Sequence, residues 1–487
     1  MIRMKRSKMS AVDTAWLRMD RPGNLMVITG VMVFDRRVRH ERVKRVIGER
    51  FLRFPRFRQR PVQGPGVSYW EDAPDFSIDD HVVKVSLPGR AGTKELQALV
   101  SRLAGRPLDP ARPWWKYHLV DNFERGSALI AQFHHCYADG IALVRVVMSM
   151  TDAGPNGPPA MPFHATPKRA PRGAEDPLAE LLQPISGVMK VVRKVGATLI
   201  EKGTEIWNDP AKAVMLAEQG GALTAELAKL ALMPQDSPTR FKGKPGIAKE
   251  VAWAEPLPLE EIKTVAKALG ASINDVLLSC VAGALSSYLA QKGDATEGVM
   301  VRALVPVNLR PIEEAWRLGN QFGLVFLDLP IGIGNPVERL YAVRANMNAL
   351  KGSYQPVVAL GLLAAMGAGP QVLQEELLQA LARNGTAVMT NVPGPPQRLY
   401  FAGAGIERVL FWVPQSGDIG MGVSILSYAG QVQFGLITDR GLCPDPAQIS
   451  KRFGPEFERL LLATLLAPWP REGDLDPAVA ASAVGAD

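Results

Sequence analysis

The 487 residues are 47% apolar and 21% charged, with a formal net charge of +8; this is the balance of a globular protein, and the length predicts at least two lobes rather than one core. Cys136, Cys280 and Cys443 are odd in number and far apart, which excludes a disulfide framework or a zinc-ligand pattern and points to a reducing compartment. No unbroken apolar run follows the basic residues Arg3 to Lys8, and Pro356 to Gly369, taken as the longest apolar candidate, falls short of the roughly 20 residues a membrane span needs. The expectation is a soluble or peripheral protein with no export signal.

Met9 to Asp20 reads as a short helix capped by Ser10, and Met26 to Phe34 as a strand. Arg36 to Arg60 then holds eleven Lys/Arg against Glu41 and Glu49, a local +9. No nucleic-acid motif accompanies this charge. Val43, Val46, Ile47 and Phe51 give it an apolar stripe, so part of it reads as a basic amphipathic helix. Such a helix is either a solvated face or a device for an anionic membrane surface. Ser68 to Trp70 and Phe76 to Val85 read as short strands or extended loops, Thr93 to Leu103 as a helix, and Lys116 to Val120 as a strand. Gly126 separates that strand from the next, so the two are expected to pair as a hairpin.

Ala128 to Phe133 is short and apolar apart from Gln132, the pattern of a buried strand. It breaks into His134 and His135, then Asp139 and Gly140, and Ile141 to Met148 resumes with helical spacing. A strand, a polar loop and a helix hold a reactive side chain rigidly. Asp152 to Arg172 is rich in proline without periodicity, a linker, and Pro177 to about Met233 is helical in pattern. Val188 to Ile200 within it is a crossover helix by default and a second membrane-facing helix as the alternative.

A second lobe is expected from near Phe241. It contains helices at Pro258–Leu269, Val276–Leu289, Pro336–Leu350, Pro370–Leu381 and Pro446–Leu466. Strands are expected at Val299–Val307, Gly323–Leu329, Thr386–Val392, Ile406–Val413, Gly420–Ser427 and Gln431–Thr438. The small acidic tail from Pro468 reads as disordered. The division is therefore an N-terminal lobe 1–151, a crossover 152–240, a C-terminal lobe 241–467 and a tail 468–487. Alternating strands and helices in both halves make an α/β protein with mixed sheets.

Neighbouring strand residues face opposite ways, so only one of His134 and His135 can enter a given cleft. A histidine titrating near neutrality can take a proton from an alcohol. No serine lies in a Gly-x-Ser-x-Gly elbow, and His134, His135 and Asp139 alone make a poor metal site, so no metal is expected. A covalent role for Cys136 is disfavoured by its position. Asp139 also suits an N-cap, and spacing alone leaves both histidines open to a purely structural reading.

His-His-x-x-x-Asp-Gly resembles the active-site signature of the bacterial wax ester synthase/diacylglycerol acyltransferase family. That family lies within the CoA-dependent acyltransferases of chloramphenicol-acetyltransferase-like fold. Further blocks are similar to the family's: Met9 to Met19, Phe54 to Arg60, Trp70-Glu71-Asp72 with Phe76 to His81, and Pro113-Trp114-Trp115 where Pro-Leu-Trp is usual. Ile273-Asn274-Asp275-Val276, Pro306 to Arg310, Asn391 to Pro395, and Ser427-Tyr428 with Gly435 to Asp439 complete the series.

The resemblance implies two lobes with a substrate tunnel between them. It implies transfer of a fatty acyl group from acyl-CoA to diacylglycerol or a long-chain fatty alcohol, with acyl-CoA as substrate and no cofactor. By resemblance His135 is the general base, His134 its structural neighbour, Asp139 a scaffold residue paired with Arg310, and Gly140 a site of close backbone approach. Asn274 and Asp275, placed before a helix, read as an N-cap pair, and by resemblance are expected to support the site from the second lobe; Trp114 and Trp115 are expected to be scaffold. No nucleic-acid partner is implied. A cytoplasmic protein attached peripherally to the inner membrane face or to lipid inclusions is the expected setting. The alternatives are a condensation-type acyltransferase of the same superfamily and a non-catalytic lipid-binding relative.

Overall fold

The structure, a computed structural model, describes residues 6–64, 67–160, 222–310, 317–415 and 417–467. Most of the crossover, including Val188 to Ile200, and the tail from Pro468 lie outside the described residues.

Two large sheets organise the molecule. In the first, six strands lie in the order Tyr400–Phe401, Ala404–Trp412, Val27–Phe34, Ser127–His134, Trp115–Val120, Val82–Val85. All its pairings are antiparallel except the last. Trp115–Val120 and Ser127–His134 form the expected hairpin. Gly126 serves its turn, because a Cβ there would lie 2.1 Å from the Phe34 carbonyl oxygen.

The second sheet runs Phe322–Leu329, Val301–Asn308, Ala387–Pro393, Met421–Tyr428, Gln431–Asp439, Lys249–Trp253. Ala387–Pro393 is parallel to both of its neighbours, so the sheet is mixed. A small sheet of Arg6–Lys8, Ser68–Asp72 and Gln59–Gln63 flanks the first lobe.

The chain order hides one feature. Tyr400–Trp412 follows strands of the second sheet, yet Ala404–Trp412 pairs with Val27–Phe34 in the first. Residues 241–467 therefore do not all sit in one lobe. The strand passes between the sheets, and the largest apolar core spans both lobes, joining Trp16, Phe133 and Leu143 to Leu304, Phe322 and Leu426. A second core fills the C-terminal lobe around the helix Ile273–Gln291.

That helix corrects two expectations. It starts at Ile273 rather than Val276, because Ser272 is its N-cap and Asp275 completes a capping box. It is also the one helix among the described residues long and apolar enough to cross a membrane by length and composition, although most of it is buried in the protein. The run chosen from sequence, Pro356 to Gly369, is the shorter helix Gln355–Ala368. It packs on Ala11–Arg18 and on Phe322–Leu329, crossing so closely that a Cβ on Gly367 would lie 1.6 Å from the Ala11 carbonyl oxygen. Val357 to Met366 is core, as apolar residues on all faces of a helix require.

The basic segment also resolves into parts. His40–Glu49 is a helix that buries Val43 and Ile47. Arg50 pairs with Asp152, Arg60 with Glu71 and Lys44 with Asp79, while Arg56 stacks 4.3 Å over the Trp70 ring. Arg37, Arg39, Arg42, Arg45, Arg53 and Arg58 are exposed.

Candidate active site

Ser127–His134 is buried at every position. The hydrogen-bonded hairpin forces its alternate side chains to opposite faces, and the chain leaves the sheet at His135. The two histidines consequently diverge. His134 packs its ring edge-on against Trp114, centroids 4.7 Å apart. Its Nδ1 accepts a hydrogen bond from the Cys136 backbone N–H at 3.2 Å. This leaves the proton on Nε2, which lies 3.5 Å from Asp20 Oδ1.

His135 is stacked on Trp16, with centroids 4.0 Å apart and planes 18° apart, and Phe322 packs against both rings, 5.7 Å from each centroid. It lines a cavity of about 920 Å3, open mouth included, together with Asp139, Gly140, Asn308, Thr390 and Asn391. Burial pushes its pKa down from 6.5 to about 3, because an imidazolium there would be stripped of water. The ring is thus neutral at physiological pH with a lone pair available. Its Nδ1 is buried without a hydrogen-bond partner, so among the described residues no carboxylate completes a triad.

Asp139 is committed elsewhere. Its Oδ1 accepts from the Ala142 N–H at 2.9 Å as the N-cap of the helix Gly140–Ser149. Its Oδ2 accepts from Arg310 Nη2 at 2.8 Å and from the Gln321 N–H at 3.1 Å. Arg310 also donates to the carbonyls of Gly319 and Arg317. Backbone bonds reinforce the junction: Gly319 N–H to Tyr137 O at 3.0 Å and Asp139 N–H to Gly319 O at 3.3 Å. The histidine loop is therefore pinned by the opposite lobe over three consecutive residues.

Asn274 does not line the cavity; it accepts a hydrogen bond from Asn391 Nδ2, and Asn391 does line it. Asp275 is turned back to the Ser272 backbone N–H at 2.8 Å and is a helix cap. Its distance from the cavity follows from the helix starting three residues earlier than expected. Gly140 has no positive φ, and a Cβ on it would meet nothing within 4 Å; the space beside it is part of the cavity. Trp115 is buried, donating from Nε1 to the Phe57 carbonyl at 2.8 Å.

Four residues escaped the sequence reading. Trp16 stacks on the His135 ring, and Phe322 packs against both. Asn320 donates from Nδ2 to both the His135 carbonyl and Asp13 Oδ1, each at 2.8 Å, while its backbone N–H also reaches Asp13. Asp13 is buried and its pKa is raised by that burial. A buried aspartate on the apolar side of the first helix was the available signal; Asn320 gave none. Cys136 is also buried, and burial pushes its pKa well up, which suppresses the thiolate a nucleophile requires. Among the described residues no three His, Cys, Asp or Glu side chains gather as a metal-ligand set.

A loop holding one buried, neutral imidazole on a cleft wall can receive a proton from a hydroxyl in that cleft. Comparison with known proteins agrees with that chemistry. Residues 9–277 match the model of the wax ester synthase/diacylglycerol acyltransferase catalytic domain, and residues 318–461 match the C-terminal domain of the same family. A Mycobacterium bovis protein named as a diacylglycerol O-acyltransferase is 29% identical over 442 residues, covering 86% of this chain and 82% of that protein. The wax ester synthase/diacylglycerol acyltransferase of Marinobacter aquaeolei VT8 superposes with a TM-score of 0.66 at 20% identity, covering 94% of this chain and all of that one. The trichothecene 15-O-acetyltransferase of Fusarium sporotrichioides has a TM-score of 0.57 at 12% identity, covering 95% of each chain. The two structural likenesses show the fold, that of the CoA-dependent acyltransferases.

Proposed function

The chain belongs to the wax ester synthase/diacylglycerol acyltransferase family and is an acyltransferase, and we propose that it moves a fatty acyl group from acyl-CoA to the hydroxyl of diacylglycerol or of a long-chain alcohol. The observation that carries this reading is His135. It is a buried, neutral imidazole on the wall of a largely apolar cavity where the two lobes meet.

In the proposed reaction the acceptor hydroxyl donates its hydrogen to the His135 ring as its oxygen attacks the thioester carbonyl. The tetrahedral intermediate collapses, the C–S bond breaks, and the imidazolium returns the proton to the leaving sulfur. The ester and free CoA thiol are the products. Positioned general-base catalysis of this kind contributes about 10²–10⁴ in rate. The route calls for no acyl-enzyme, metal or cofactor. Desolvation keeps the imidazole neutral, with its lone pair free before attack, and the imidazolium that forms returns its proton within the same cycle.

Both acceptor and product are lipids, so the protein is proposed to work at the cytoplasmic face of a membrane or on lipid inclusions. The exposed arginines of residues 37–58 are the candidate contact with anionic headgroups. The test is purified protein with palmitoyl-CoA, offered either diacylglycerol or hexadecanol. Acceptor-dependent release of CoA supports the reading and ranks the acceptors. Binding of palmitoyl-CoA with no release for either acceptor would overturn it in favour of a lipid-binding protein.

A further inference from the structure

His135 presents its two ring nitrogens to different surroundings. Nδ1 is enclosed and without a hydrogen bond, whereas Nε2 is neither enclosed nor bonded. Nε2 is therefore the nitrogen that opens on the cavity the ring lines. A lone pair on Nε2 requires the proton to sit on Nδ1. Which nitrogen of a neutral imidazole carries the proton is set by the acceptor beside it, and among the described residues no carboxylate bonds Nδ1.

Asn320 supplies the missing acceptor. It stands just before the strand Phe322–Leu329 of the second lobe, and its partners fix which way its amide points. Nδ2 donates to the His135 carbonyl and to Asp13 Oδ1, each at 2.8 Å. The Asn320 backbone N–H donates to the same Asp13 oxygen at 3.0 Å. Turning the amide end for end would set its oxygen against two acceptors. The free end is thus Oδ1, which is buried and has no donor.

A buried acceptor without a donor and a buried ring nitrogen without a partner therefore belong to two residues already bonded to each other. Buried polar atoms left unpaired are uncommon and call for a reason. Burial lowers the His135 pKa to about 3, and against it two groups favour the protonated ring, its own backbone carbonyl and the Asn320 side chain. The first is the oxygen that Asn320 Nδ2 holds, so Asn320 governs both.

Asp13 belongs to the helix Ala11–Arg18, three residues ahead of Trp16. One helix face consequently carries both the indole that stacks on the ring and the carboxylate that holds the amide. Burial raises the Asp13 pKa, while the Asn320 hydrogen bonds and the Arg56 charge act the other way. Arg56 lies 4.3 Å over the Trp70 ring. On the far side of the loop, the His135 N–H donates to the Met26 carbonyl at 2.7 Å, so the backbone of His135 is held at both ends.

We propose that Asn320, held in place by Asp13, is a positioning residue for the reaction: its side-chain oxygen keeps the His135 proton on Nδ1 and so keeps the Nε2 lone pair turned to the acceptor hydroxyl. Asn320 itself takes no proton. Nε2 receives the hydroxyl proton, Nδ1–H stays with the amide oxygen, and Nε2 gives its proton to the leaving sulfur. Such hydrogen bonds are often long in a free enzyme and tighten in the substrate complex. The effect on rate rests on the acyl-transfer reading above; the tautomer does not.

The experiment reads the tautomer directly. Nitrogen NMR of protein isotopically labelled at its histidine rings separates Nδ1–H from Nε2–H forms. With six histidines in the chain, the His135 signal is assigned by its loss in His135→Gln. Wild type should show the Nδ1–H form. Asn320→Leu should move the ring to the Nε2–H form or a mixture. It should also lower kcat for acceptor-dependent CoA release at least about tenfold while the KM for palmitoyl-CoA stays within about twofold, the mark of an interaction made in the transition state. If Asn320→Leu does not fold, Asn320→Ala carries the same comparison. Asp13→Leu should give a weaker shift in the same direction, and Asp13→Asn, which keeps an oxygen facing Asn320, should restore most of what Asp13→Leu loses. An Nε2–H ring in wild type, or an unchanged tautomer in a folded Asn320 variant, overturns the proposal, whatever ester formation the wild type shows. The expected tautomers in a wild-type protein that forms no ester would refute acyl transfer and leave Asn320 as the residue that sets the ring.

Discussion

The indole of Trp16 and the imidazole of His135 lie face to face, with centroids 4.0 Å apart and planes 18° apart. The tryptophan comes from the first helix and the histidine from the end of a strand more than a hundred residues later. Their contact explains why the ring is dry, and dryness holds its pKa near 3 instead of 6.5. Profiles of kcat/KM for acceptor-dependent CoA release should consequently show no acidic limb near pH 6.5. Trp16→Ala admits water to the ring and should move such a limb up toward 6.5. A wild-type limb at 6.5 contradicts this account.

The same shift has a consequence for stability. Unfolded, His135 titrates near 6.5; folded, near 3. His118, held at about 4 by burial, behaves alike. Between these values the unfolded chain binds more protons, so stability should be intact above pH 6.5 and fall progressively as pH drops toward 4 and then 3. Urea midpoints measured at pH 8, 6 and 5 should decline in that order, starting below pH 6.5. Equal midpoints at pH 8 and 5 would count against burial of these rings.

Asp139 and Arg310 form a buried pair across the lobe junction. Removing either partner strands a charge, which costs about 3–5 kcal/mol. Arg310→Met and Asp139→Asn should both lower the unfolding midpoint strongly and impair activity. The aspartate variant should lose more, because it also gives up the Gln321 contact and weakens the helix cap. The double variant should recover part of the summed loss. Full stability and activity in Arg310→Met would refute the junction's role.

Asn274 and Asp275 are neighbours with different duties. Asn274→Ala frees Asn391 on the cavity wall and should lower kcat/KM about tenfold, on the scale of ~1.4 kcal/mol for a lost buried hydrogen bond. Asp275→Ala removes a capping-box contact and should lower stability by about 1 kcal/mol while leaving kcat/KM near wild type. The opposite pattern would reverse the assignment.

Exposed Arg37, Arg39, Arg42 and Arg45 carry no compensating pair among the described ion pairs. If they hold the protein to anionic vesicles, raising salt well beyond physiological strength should release it, since screening shortens to about 3 Å at 1 M. Arg37→Glu with Arg45→Glu should weaken retention at low salt. Retention indifferent to both would rule out a charge-based contact.

What the sequence revealed depends on how local each feature is. The hairpin leading to His135 was legible because alternation and Gly126 are short-range signals. The strand start of the motif and its helix were read to within a residue or two, and Arg310 was named as Asp139's partner from resemblance. The helix Gln355–Ala368 was noticed only as an apolar stretch, since burial on every face erases amphipathic periodicity. Strand Lys249–Trp253 and the passage of Tyr400–Trp412 into the other sheet were missed, as sheet membership is a long-range property. Trp16 and Asn320 were missed for the same reason: each touches His135 from far along the chain, and neither sits in a motif that names its role.

The central claim is that His135 is the base for direct attack on the thioester. Its most direct test is a single-turnover measurement of ester formation from palmitoyl-CoA in wild type and in His135→Gln, with palmitoyl-CoA affinity and the unfolding midpoint measured on both. The account predicts a rate loss of about 10²–10⁴, with affinity and stability little changed. Ester formation at the wild-type rate in a folded His135→Gln protein would contradict it.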